Sequence, residues 1–100
     1  EIIPPIIITE TGLALEDQLD DEYKVKDQRR IEFLENSIQS VLKAKREGVK
    51  VDGYFVWSLT DNFEWAEGYR PRFGLLHVDY KTQKRVPKDS AFWYKKFLTT

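Results

Sequence analysis

One hundred residues with six Phe, five Tyr, three Trp and a third of positions charged suit a folded segment with a real core, not a disordered tail. A net charge of −1 offers no basic field to nucleic acid or an anionic membrane surface, and no apolar run approaches the ~20 residues of a membrane span. The lack of cysteine excludes disulfides and thiol chemistry, and a single histidine, His77, excludes a multi-histidine metal site, so no metal or cofactor is expected.

The chain starts on Glu1, contains no methionine and enters a strand almost at once. That reads as a piece of a longer polypeptide or an engineered segment, and a cytoplasmic setting is expected. Pro4 to Gly12 (Pro-Pro-Ile-Ile-Ile-Thr-Glu-Thr-Gly) is an apolar run bounded by two prolines and a glycine. It reads as a strand of a parallel, helix-covered sheet. Glu10 at its C-terminal end is the first candidate for chemistry, because a carboxyl at the end of a buried strand is costly unless paired or used. The plain alternative is a carboxylate that caps a loop or meets an arginine.

The following acidic stretch, Thr11 to Lys26, lacks the alternating oxygen ligands and turn glycine of a calcium loop and reads as a solvated loop. Asp27 to Glu47 has Ile31, Leu34, Ile38, Val41 and Leu42 on one helical stripe, with Asp27 as N-cap and Gly48 as the stop. Arg29 and Arg30 lie at the wrong end for the helix dipole and are expected to answer carboxylates elsewhere. Val51 to Leu59 is a second apolar strand, so strand, helix and strand form a βαβ unit with parallel strands. Beyond it come Thr60, Asp61, Asn62, Phe63, Glu64 and Trp65. Rings beside carboxylates suit sugar recognition, the ring face covering C–H groups and the carboxylate accepting from hydroxyls. Trp57 alone reads as well as a core residue.

Tyr69 to Pro87 predicts a small hairpin, with Leu76, Val78 and Tyr80 on one face and His77 on the opposite, polar one. Asp89 or Ser90 is expected to cap a last helix through Leu98 that packs with Phe92, Trp93, Phe97 and Leu98.

Ile7-Ile8-Thr9-Glu10-Thr11-Gly12 resembles the Ile-Thr-Glu-Asn-Gly nucleophile motif of the family 1 β-glycosidases. Trp57-Ser58-Leu59-Thr60-Asp61-Asn62-Phe63-Glu64-Trp65 is similar to that family's sugar-binding segment. Asp27-x-x-Arg30-Ile31, Arg72-Phe73-Gly74-Leu75, Val78-Asp79-Tyr80 and Lys84-Arg85-x-Pro87-Lys88-x-Ser90-Ala91 follow in the family's order. The resemblance implies an α/β fold. Residues 1–100 would be the C-terminal (β/α)2 quarter of a (β/α)8 barrel, strands 7 and 8 with their helices, and not an independent domain.

It further implies Glu10 as the nucleophile of a retaining β-glucosidase-like enzyme, with Trp57, Glu64, Trp65 and Phe73 binding the sugar of a β-glycoside substrate. Two departures stand out. Thr11 replaces the family's Asn after the nucleophile, and the Asn-Glu-Pro motif bearing the acid/base glutamate is absent. Such a chain is expected to need the N-terminal remainder of the barrel, or copies of itself. The alternatives are a non-catalytic carbohydrate-binding or receptor-type relative, or an excised or engineered fragment with no activity of its own.

Overall fold

The isoleucine run forms strand β1 (Ile6–Thr11), and the helical stripe forms α1 (Gln28–Arg46). These belong to a computed structural model that describes residues 3–100; Glu1, where the chain starts, lies outside them. Strand β2 (Val51–Val56) pairs with β1 in parallel, in the register Ile6–Val51, Ile7–Gly53, Ile8–Tyr54 and Thr11–Val56. A hairpin of β3 (Leu76–Val78) and β4 (Arg85–Pro87) and a last helix, α2 (Asp89–Leu98), complete the order. The βαβ unit and the hairpin both match the sequence pattern.

Helix α1 buries Leu34 and Ile38, leaves Ile31 and Val41 half-buried and exposes Leu42 at the stripe's margin. It stops at Gly48, whose φ of +99° lies where side chains are strained and glycine is not. Tyr54 ties β2 to α1 through a 2.9 Å hydrogen bond to Ser37. The other sheet face is bare: Ile7 and Phe55, both beside Gly53, are 56% and 59% exposed. Among the described residues only one edge of β1 and one of β2 is paired, so these strands present an apolar sheet face and two open edges.

Four expectations need correction. Strand β2 ends at Val56; Trp57 to Leu59 run on irregularly, through a cis Trp57–Ser58 peptide. Helix α2 has Lys88, not Asp89 or Ser90, at its N-cap, and Phe92 and Leu98 are exposed. For Phe92 the reason is angular: Ser90, Trp93 and Tyr94 follow the three-and-four spacing of one stripe, and Phe92 falls roughly 200° from Ser90; Phe97 is exposed as well, at 37%.

Asp27 occupies the N-cap of α1 but makes no capping bond, because its carboxylate is taken by Arg30 and Ser90. His77 is buried and not on a polar face. Strand β3 is paired on both edges, by β4 and by a parallel bridge from Thr60 to Leu76, and His77 is 6% exposed.

Candidate active site

Parallel pairing brings the C-terminal ends of β1 and β2 together, and with them two of the sequence's candidates, Glu10 and Trp57. The Trp57 amide donates to the Thr11 carbonyl at 2.8 Å, extending the ladder past the strand. Phe73 joins them: its carbonyl accepts from the Ser58 amide at 3.2 Å, and its ring flanks Gly12. Gly12 is needed there, since a Cβ would collide with the Trp57 carbonyl. Gly12→Ala is therefore expected to push the two strand ends apart, with a loss of about 1–3 kcal/mol, the usual range for overpacking. Denaturant unfolding checks this, and an unchanged midpoint would mean that the strand ends yield without cost.

Glu64 and Phe73 line one cleft of about 760 Å³, together with Leu15, Glu16, Arg29 and Arg70. An exposed Arg70–Glu16 ion pair links the loop after β2 to the loop after β1 at this cleft. Trp65 opens a single 3-10 turn with a φ of +49° and is 83% exposed, stacked edge-on to Phe63 at 6.4 Å. A non-glycine residue in that region costs roughly 1–2 kcal/mol, and such strain gathers at working sites. Glu10, Trp57 and Phe73 thus share the strand ends, Glu64 shares the cleft with Phe73, and Trp65 stands out from the surface.

Beneath these residues lies a buried ion cluster that sequence reasoning glimpsed only at Arg30. Arg30 meets Asp17 at 2.8 Å and Asp27 at 2.6 Å, and donates to the Leu13 and Arg72 carbonyls at 3.1 and 2.7 Å. Lys88 meets Asp17 at 2.7 Å and Asp61 at 2.8 Å, and Arg72 meets Asp61 at 2.6 Å. Three cations balance three carboxylates. Asp17 corrects the reading of residues 11–26 as solvated: its side chain is 5% exposed. The available signal was the three-residue spacing of Asp27 and Arg30, which places both on one helix face.

Burial opposes the charge on Asp61, yet the Lys88 ammonium and then Arg72 hold its carboxyl below the ordinary value of 3.8. Burial, reinforced by the Arg72 charge, pushes His77 below its ordinary 6.5. Both shifts weaken the fold in acid, in separate windows. The unfolded chain takes up a proton at His77 as pH falls below about 6.5 while the folded chain resists, so stability declines until the folded value is reached. The Asp61 contribution is complete above 3.8 and is lost as pH falls through its lower folded value. Unfolding midpoints between pH 8 and pH 3 are expected to show both limbs, and His77→Gln to remove the first. A first limb that persists in that variant would contradict the assignment.

Comparison with known proteins places this arrangement. The description "Glycosyl hydrolase family 1" matches residues 2–100. Beta-glucosidase A of Thermotoga maritima is 55% identical over 91 residues, 91% of this chain and 20% of that protein. The 6-phospho-beta-galactosidase of Staphylococcus haemolyticus is 50% identical over 90% of this chain and 19% of its own length. A solved family 1 β-glucosidase from T. maritima, in complex with isofagomine lactam, superposes with a TM-score of 0.93 at 52% identity, covering 96% of this chain and 22% of that one. The chain therefore spans about a fifth of the length of the relatives it matches.

Proposed function

Because the chain belongs to glycosyl hydrolase family 1, we propose that it is the C-terminal segment of a β-glucosidase-type (β/α)8 barrel and carries one of its two catalytic carboxyls. In this reading β1 and β2 are barrel strands 7 and 8. The observation that carries it is the placement of Glu10 near the C-terminal end of a parallel strand, directly before Thr11 and Gly12, which meet Trp57 and Phe73. Strand ends on that side of a barrel line the catalytic mouth.

A retaining glycosidase holds two carboxyls about 5–5.5 Å apart, one attacking the anomeric carbon and one protonating the leaving oxygen. Glu10 is the attacking group. Glu64 shares its cleft with Phe73 and takes the sugar's hydroxyls, with Trp57 and Trp65 covering ring faces. The proton donor comes from the remainder of the barrel, and the open strand edges and bare apolar sheet face support the need for that partner. A β-glucoside suits this cleft better than a phosphorylated sugar. Glu16, Glu64 and Glu67 line it against Arg29 and Arg70, and Arg70 is already paired with Glu16.

The test grafts residues 2–100 onto roughly the first four fifths of T. maritima beta-glucosidase A, in place of the segment they match. A 2-fluoro glucoside with a good leaving group is expected to form an ester between its anomeric carbon and a Glu10 oxygen as the leaving group departs. The fluorine slows hydrolysis of that ester, so it accumulates. Peptide mapping is expected to place the label within residues 6–12. The 100-residue chain alone is expected to remain unlabelled. Label elsewhere in the graft, or on the isolated chain, would overturn the reading.

A further inference from the structure

Lys88 is fully buried at the N-terminus of α2, the end of a helix that favours anions over cations. Its place is set by two carboxylates. The ammonium lies 2.7 Å from Asp17 Oδ2 and 2.8 Å from Asp61 Oδ1. Asp17 is in the loop that leaves β1 after Glu10, and Asp61 is in the loop that leaves β2 and leads into Glu64. Asp61 has no freedom left. Oδ1 also accepts from the Gly74 amide at 3.0 Å, next to Phe73, and Oδ2 accepts from Arg72 at 2.6 Å and from the Val78 amide at 3.3 Å.

Five buried charges and the half-buried Arg72 are a poor device for stability, since a well-packed apolar replacement of a buried ion pair is often neutral or better. What such a cluster can provide is a single geometry. Resting on the function proposed above, we infer that Lys88 is a positioning residue of the sugar subsite. It fixes the Asp61 carboxylate and, through it, the Gly74 amide after Phe73, the Arg72 guanidinium before it and the start of the Glu64 segment, all relative to the loop after the nucleophile. Lys88 touches no substrate. It acts through Asp61.

Two measurements test this. In the 100-residue chain, Lys88→Met is expected to speed amide hydrogen exchange at Gly74 at least tenfold more than at the Leu34 amide in α1, which reports the global loss of stability. Equal exchange at Gly74 in parent and variant would overturn the inference. In the graft, Lys88→Met is expected to lower kcat/KM for a β-glucoside about tenfold, mostly in kcat, because hydroxyl contacts tighten in the transition state.

The same change made on a Glu64→Ala background is expected to cost less than threefold, since the group being positioned is gone. Additive losses would overturn the inference and leave Lys88 a purely structural residue. If Lys88→Met does not fold, Lys88→Gln keeps a donor on a chain of similar shape, and the same non-additivity with Glu64→Ala is expected of it. An inactive parent graft counts against the proposed function, and the Gly74 exchange rate then decides the role of Lys88.

Discussion

Glu10→Gln in the grafted barrel is expected to lower kcat by a factor on the order of 10⁴–10⁶, the scale on which loss of a covalent nucleophile costs other hydrolases. Two features make the variant clean. Glu10 is exposed at the strand end of this chain, outside the buried ion cluster, so its charge has little part in holding the fold. The amide is nearly isosteric with the carboxyl, so the sugar pocket keeps its shape. KM and the unfolding temperature are therefore expected to stay close to the parent's, and labelling by the 2-fluoro glucoside to disappear. Retention of even a hundredth of parental kcat would show that Glu10 is not the attacking group. Another carboxyl of the grafted barrel would then have to attack the sugar.

Asp27→Ala is expected to be the most destabilising single change, at about 3–5 kcal/mol, the cost of breaking a buried ion pair by removing one partner. The cluster would be left with three cations against two carboxylates. The Ser90 amide and hydroxyl would lose the acceptor that ties the start of α2 to the start of α1. Domains of this size have roughly 5–15 kcal/mol in total, so the variant is expected to lose much of its cooperative unfolding transition. Asp27→Asn keeps acceptor capacity without the charge and is expected to fall between the two. A midpoint for Asp27→Ala within a degree or two of the parent would mean that the cluster contributes little.

The parts of this fold that sequence reveals are those with a period. The isoleucine run and the α1 stripe from Ile31 to Leu42 repeat at the spacing of their element, and each formed; the alternation of Leu76 and Val78 formed too, while Tyr80 falls in the turn beyond it. The site candidates were visible for another reason: acidic and aromatic residues just past a strand end have no role in the core to explain them. What stayed hidden lies at long range. Asp27 looks like an N-cap because the local rule fits it, yet Ser90, 63 residues on, takes its carboxylate. Lys88 precedes a helix like any surface lysine, and nothing near it in sequence announces Asp17 or Asp61. Asp17 is one of five acidic residues in its loop, with a side chain only 5% exposed, and nothing in their spacing marks it out from the other four. His77 lies off the polar face because two-residue alternation assumes one wet face, and the residues to either side of Leu76–Val78 in sequence and space leave none at His77, which is 6% exposed.

The ion pairs of this protein fall into two populations that salt would separate. At the ~8 Å screening length of physiological salt, and more so at 1 M, exposed pairs lose most of their attraction while buried ones keep theirs. Arg70–Glu16, at 80% and 60% side-chain exposure, belongs to the first group, and Lys88–Asp61, at 0% on both sides, to the second. Rising ionic strength therefore loosens the strap across the cleft while leaving the carboxylate and lysine beneath it in place. In a brine the link between the two loops becomes mobile, while the ion cluster that anchors both of them does not.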